Sequence, residues 1–336
     1  MNKIFFKIFA ISTIVLTFLS CKNDFDLNAE YKEINIVYGI LDHQDTTHCL
    51  RINKAFLGES SAIEYAKILD SSFINNAVVK IIDSSATNVV EIIFDTITLY
   101  NKEEGDFYAP KQIVYKADFI INNDHSYKLI VDNAACEEIT SAQTEPLGNF
   151  YFASYNVTGN TFNVNNSTDR PTDIEFTNSR NAKRYKLDIV FHYKELKSNF
   201  DTTYSKVKWS LPDIFASNTA GNGRSRVSFL GIEFYNFCLR NIPYSDQSVE
   251  DAIQKRLVHK FELTLTAIDE NLSIYLDAVK NSGNSLIETP MYTNINNGYG
   301  IFASRRQLVK TFDVSKNTEF IFTSEEALQH LKFIPY

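Results

Sequence analysis

The chain has 336 residues, with 33 Lys and Arg against 41 Asp and Glu and a net charge of −8 with neutral histidines. That acidic balance leaves no electrostatic footprint for nucleic acid, and the length allows two domains at roughly 100–200 residues each. Eighteen Tyr and 26 Phe beside 11 Gly and 7 Pro favour strands, whose pleated faces suit aromatic and β-branched side chains.

Residues 1–20 carry Lys3 and Lys7, then an uncharged, mostly apolar run from Ile8 to Leu19, then the small Ser20. This is the layout of a secretory signal. The run is shorter than the about 20 residues that a membrane-spanning helix needs. Cys21, directly after Ser20, makes the segment resemble a bacterial lipoprotein signal, although Phe18 stands where such signals usually carry Leu. In that reading Cys21 is the lipidated first residue and tethers the chain to a membrane, each buried methylene of its acyl chains adding about 0.8 kcal/mol. Simple secretion and an uncleaved anchor are the alternatives. Residues 21–32 hold Asn23, Asp24, Asp26, Asn28 and Glu30 and read as a polar tether.

Residues 33–145 consist of short apolar or alternating runs split by Asp, Asn, Ser and Gly turns. The runs are Ile34–Ile40, Thr47–Phe56, Ala77–Asp83, Val89–Tyr100, Gln112–Phe119, Tyr127–Val131 and Glu138–Thr144. The pattern predicts an immunoglobulin-like or transthyretin-like β-sandwich, with a helical turn over Ser61–Lys67. Glu145-Pro146-Leu147-Gly148 punctuates the chain and opens a second domain, residues 149–336, expected to be β-rich with a few helices. Its strands are expected over Phe150–Val157, Asp173–Thr177, Tyr185–Leu196, Thr203–Leu211 and Lys260–Ala267. Ser217–Ser225 reads as a flexible loop and Arg226–Leu239 as an apolar, aromatic stretch. Helices are expected only beyond that point. One runs from a Ser248 cap through Leu257, with Asp251 as its reciprocal capping partner. A second carries Leu272, Tyr275, Leu276 and Val279 on one face. A third runs from Thr323 through Leu331.

Three groups of residues, taken in order, resemble a family. Ile36-Val37-Tyr38-Gly39-Ile40-Leu41-Asp42 is followed by Leu50–Phe56. Asn76–Asp83 is followed by Gly105-Asp106-Phe107-Tyr108 and His125–Val131. Asn294-Ile295-Asn296-Asn297-Gly298-Tyr299-Gly300-Ile301-Phe302 closes the set. Together they look like the Bacteroidetes lipoproteins grouped as domain of unknown function 4249, with Val37-Tyr38-Gly39 replacing the usual Val-Glu-Gly. The resemblance spans nearly all of the chain after Cys21. It implies an outer-membrane lipoprotein, accessory to a TonB-dependent receptor, on either the periplasmic or the surface face. It brings no ligand and no functional residues.

No motif carries chemistry by itself. His43, His48, His125, His192, His259 and His330 lack metal-ligand spacing, and there is no Cys-x-x-Cys. Cys49 and Cys136 fall in one expected domain and are able to pair; the alternative is that Cys49, Cys136 and Cys238 are small buried hydrophobes. Glu103-Glu104-Gly105-Asp106 reads as a solvated hairpin tip and not as a calcium loop. Gly221-Asn222-Gly223-Arg224 lacks the strand-to-helix context of a phosphate loop. Asn294–Phe302 is the candidate functional stretch. Tyr299, between Gly298 and Gly300, either offers a ligand-binding face or plugs the second domain's core with Phe302. The reading is a non-enzymatic envelope protein without a cofactor that binds a ligand or assists a receptor. The rival is an envelope hydrolase of glycans or peptides, which needs two carboxylates across a cleft.

Overall fold

The computed structural model describes residues 32–55, 62–74, 76–105, 107–153, 157, 159–199, 201–216, 218–243, 253–282 and 292–335. The expected signal and Cys21 lie outside the described residues. The fold is mainly β, with a few short helices.

The first hairpin is β1 (Asn35–Asp42) and β2 (Thr47–Lys54). Two short helices follow, α1 (Ala62–Ala66) and α2 (Leu69–Ser72), the first where the helical turn was expected. Then come β3 (Ala77–Ser84), β4 (Val89–Ile93), β5 (Asp95–Leu99), β6 (Gln112–Asp118), β7 (Ser126–Asn133) and β8 (Thr140–Thr144). One sheet has the order β4-β3-β7-β8. The run β1-β2-β6-β5 belongs to a second, larger sheet. Val79, Ile81, Leu129 and Val131 from the first meet Val37, Leu50, Ile52 and Tyr115 from the second in one core. Alternation does this: in β7, Tyr127, Leu129 and Val131 are buried while Lys128 and Asp132 are exposed, because successive side chains leave a strand on opposite faces. The expected sandwich is therefore present.

The single strand expected over Val89–Tyr100 is two strands. Phe94 turns into the core at 5% exposure, and its N–H donates to the Val79 carbonyl at 2.9 Å. Before it, β4 pairs with β3; after it, β5 pairs with β6. Burial of one ring thus carries the chain from one sheet to the other.

The second half contains β9 (Thr161–Phe162), β10 (Pro171–Thr177), β11 (Arg184–Lys197), β12 (Thr202–Ser210), β13 (Ile214–Phe215) and β14 (Arg224–Leu230). The helix α3 (Gly231–Asn241), β15 (Ile253–Ile268), the helix α4 (Glu270–Ser282), β16 (Gly298–Val314), the helix α5 (Lys316–Ser324) and a 3-10 turn over Glu326–Leu331 complete it. The larger sheet runs β12-β11-β15-β16-β1-β2-β6-β5, and β10 and β14 form a separate pair.

Several expectations need correction. Arg226–Leu239 is half strand and half helix. The expected Ser248–Leu257 helix lies outside the described residues up to 252, and beyond that it is β15, whose alternation puts Arg256 and Val258 inside. Phe150–Val157 forms no strand among its described residues; Phe152 makes one isolated bridge to Phe176. The last helix begins earlier than Thr323, at a Ser315 cap whose Oγ accepts the Thr318 N–H at 3.1 Å. The helix around Leu272 is present as α4, but only Leu272 of the expected face is buried, while Leu276 and Val279 are exposed.

The boundary at Pro146 does not divide two compact units: Glu33–Tyr336 forms one. The reason is β16. It pairs in parallel with β1, Val37 opposite Gly300, and antiparallel with β15, Leu265 opposite Leu308. One face of this strand sends Phe302 into the sandwich core and Phe312 into a second, mostly aromatic core. Between them the same face turns polar. The Ser304 N–H donates to Asp269 Oδ2 at 3.0 Å, and Arg306 Nη1 donates to Asn123 Oδ1 at 3.1 Å.

Candidate functional site

Trp209 is the protein's only tryptophan. It is the last residue but one of β12 and packs against the second core, in contact with rings from β14 and α3. Its ring lies edge-on to Phe229 with centroids 5.1 Å apart, and stacks with Phe237 at 5.9 Å. Beside it opens a groove of about 770 Å³, lined also by Leu211, Pro212, Asn236, Leu239 and Arg240.

Local sequence explains how the groove is built. The chain must turn from β14 straight into α3, and Gly231 sits at that corner. A Cβ there would meet the Asn165 carbonyl oxygen at 1.5 Å, so only glycine lets the backbone approach so closely. Glu233 Oε2 accepts the Leu230 N–H at 3.0 Å, satisfying one of the unpaired donors of the helix start. The helix then buries Phe234, Tyr235 and Cys238. The Tyr235 hydroxyl donates to the Val164 carbonyl at 2.6 Å, and burial pushes its phenol well above the ordinary value. Glu233, Asn236 and Arg240 recur at i, i+3 and i+7, so they share the opposite face and line the groove.

The cleft nearest to a paired-carboxylate arrangement is different. A hollow of about 370 Å³ is lined by Glu145, Asp269 and Glu270. Burial raises the Asp269 carboxyl above its ordinary range. Yet its oxygens are taken: Oδ1 accepts the Leu272 N–H at 2.8 Å, and Oδ2 accepts Thr144 Oγ1 and the Ser304 N–H, both at 3.0 Å. Asp269 is the cap of α4 and the tie between the two cores, a sufficient account of its burial.

The stretch Asn294–Phe302 leads into β16 and starts it. Asn294 clamps Phe302 from both sides, its Oδ1 accepting the Phe302 N–H at 3.0 Å and its Nδ2 donating to the Phe302 carbonyl at 2.7 Å. Phe302 is fully buried, but in the sandwich core and not in the second core as expected. Tyr299 plugs neither core: it is 40% exposed on the outer face of the sheet, opposite Ile36. Gly300 has φ +105°, and a Cβ there would lie 1.9 Å from the Val37 carbonyl oxygen.

The remaining sequence candidates do not converge. Cys49, Cys136 and Cys238 are all free thiols. Only Cys238 is buried; Cys49 is exposed and Cys136 half-buried, which corrects the expectation of three buried residues. His125 Nδ1 lies 2.6 Å from Asp83 Oδ1, whereas His48 packs its ring on Phe119 at 4.2 Å. Among the described residues no three of His, Cys, Asp and Glu gather as metal ligands. Glu104 and Gly105 are exposed in the loop between β5 and β6, with Asp106 outside the described residues. The Gly221–Arg224 loop is tied down by Asn178 Nδ2, which donates to the Asn222 carbonyl at 3.1 Å.

Sequence reasoning missed the Trp209 groove because its walls come from three separated stretches. Two signals were present: a single tryptophan, and polar residues at helical spacing inside an aromatic run.

No curated protein matches the sequence. Among solved structures, the crystal structure of calcium binding domain CBD12 of CALX1.1 is similar at 10% identity, with 83% of this chain and 98% of that chain covered. Its TM-score of 0.16 is too low to transfer any feature. The family model described as domain of unknown function (DUF4249) matches residues 22–311, and the chain belongs to that family.

Proposed function

We propose that this protein is a non-enzymatic lipoprotein of the bacterial envelope, anchored at the outer membrane through Cys21, which binds a ligand beside a TonB-dependent receptor. The observation that carries the binding reading is the Trp209 groove: a large concavity with an aromatic floor and a few convergent polar groups, the usual make-up of a ligand site. The hydrolase reading draws less support, because the acid best placed in a cleft, Asp269, spends both oxygens on the fold. Family membership is consistent with the envelope reading through the lipoprotein-like signal at residues 1–21.

The test has two parts. Cys21→Ala releases the protein from the membrane fraction and abolishes labelling by a fatty-acid analogue; retention together with an unlabelled normal protein would sink the anchor. Affinity purification of the normal protein from solubilised outer membranes recovers a TonB-dependent receptor. Its repeated absence removes the receptor role and leaves the groove to be judged separately.

A further inference from the structure

The groove contains three side chains whose hydrogen-bonding groups are unused. The indole N–H of Trp209, the amide of Asn236 and the guanidinium of Arg240 have no hydrogen bond or ion pair among the described residues. The other polar side chains among the described lining residues each take part in a hydrogen bond. Ser210 Oγ donates to Asp188 at 2.6 Å, Ser228 Oγ donates to Asp173 at 2.5 Å, and Glu233 accepts the Leu230 N–H. The free set is therefore rich in donors, since indole and guanidinium can only donate. A ligand that satisfies it must bring acceptors.

Two further features narrow the class. The planar fork of Arg240 matches a carboxylate better than a hydroxyl, and Glu233, the only carboxylate among the described residues that line the groove, is held at the start of α3 through its Oε2. The Trp209 ring, backed by Phe237 and Phe229, gives a flat apolar floor that Leu211 and Pro212 extend. We propose that the groove takes a ligand with a flat apolar ring face next to a carboxylate, the ring lying on Trp209 and the carboxylate held by Arg240. This assignment rests on the groove being the binding site. An acidic sugar and an aromatic acid share the required chemistry.

Trp209 is its own reporter, because selective tryptophan excitation reads this groove alone. The intact chain is titrated with four probes: trigalacturonate and its methyl ester, phenylacetate and phenylacetamide. In at least one pair the acid perturbs the Trp209 emission with an apparent Kd about tenfold or more tighter than its neutral partner, the scale of a hydrogen bond to a charged group. Arg240→Gln, an exposed change checked to leave the melting curve intact, abolishes that preference. The responding pair tells the sugar from the aromatic acid. Equal binding of acid and neutral forms, or a preference that survives Arg240→Gln, overturns the carboxylate assignment and leaves the groove as a binding site. If none of the four probes moves the emission, the proposal falls, while the envelope role is decided by the membrane experiments.

Discussion

The sandwich core is lined by aliphatic side chains such as Val37, Leu50, Ile52, Val79, Leu129 and Val131. The second core is filled by rings, among them Phe162, Phe191, Phe234, Phe261, Phe312 and Phe322. Phe191 and Phe322 stack nearly parallel at 4.9 Å, and Phe162 meets Phe261 edge-on at 5.2 Å. The difference follows from what faces the sheet. Two sheets pack at a uniform separation of about 10 Å, which branched aliphatic side chains fill. A sheet facing helices, turns and irregular chain has gaps of uneven depth, and large rings fill them. Uneven closure also explains where a concavity opens: the Trp209 groove lies where α3, the end of β12 and the end of β14 come together. The regular half holds the molecule together, and the irregular half can vary its surface.

This contrast can be broken at defined points. Phe302→Ala should cost about 3–5 kcal/mol, the range for a buried aromatic truncation, with loss of protection in the sandwich strands by hydrogen exchange. Urea denaturation measures the total; a cost confined to the second core would show that the two cores are not assigned as described. In that second core, Arg256 is fully buried, with Nε donating to Glu195 Oε1 at 3.0 Å, Nη1 to the Leu331 carbonyl and Nη2 to the Pro243 carbonyl, both at 2.8 Å. Arg256→Ala leaves Glu195 buried without its partner and should also cost about 3–5 kcal/mol. Arg256→Lys keeps the charge without the fork, and should recover only part of the loss in the same denaturation series.

Gly300→Ala forces a left-handed residue and a clash with Val37 into the β1–β16 ladder. A loss on the order of 1–3 kcal/mol is expected, with slowed exchange of the β1 amides replaced by fast exchange. Asp269 supplies a pH test. Its folded carboxyl is raised above the ordinary 3.8 by burial, so its contribution is present at lower pH and is lost as pH rises through the raised value. Asp269→Asn should flatten that part of the stability–pH curve, and an unchanged slope would mean that the carboxylate is not desolvated as described. Smallest of all, Tyr299→Ala should change stability by no more than about 0.5 kcal/mol, as exposed substitutions do. A larger loss would place Tyr299 in a core after all.

The regular half was largely legible in the sequence. The alternation of Tyr127, Leu129 and Val131, and of Val79 and Ile81, reports a face buried on one side. Phe94 escaped because a run of β-branched residues on both sides of it looks like one strand; only the pairing partners show a change of sheet. The helix at Leu272 was legible from its spacing and α3 was not, because a strand of aromatic and apolar residues flows into a helix of the same composition. The break at Gly231 is imposed by Asn165, which is remote in sequence. The boundary at Pro146 read a real change of composition, but composition cannot show that one strand near the C-terminus serves both cores. Nothing local reveals the Trp209 groove, whose floor and rim are brought together only by the sheet order.

The parallel pairing of β1 with β16 sets the order of events during synthesis. Asp42 binds Arg305 across 263 residues of chain, and Phe302 fills a core whose other walls, Ile295 apart, are complete by Thr144. Contacts as distant in sequence as these, and those that Ile295 makes in the same core, form slowly, because loop closure must precede their gain. A chain emerging from its N-terminus therefore carries a sandwich with an open flank and an unfilled core until nearly its last residues arrive. Such an intermediate exposes apolar surface and a free strand edge. Removal of the C-terminal forty residues should thus produce an aggregating chain, and not a shorter stable protein.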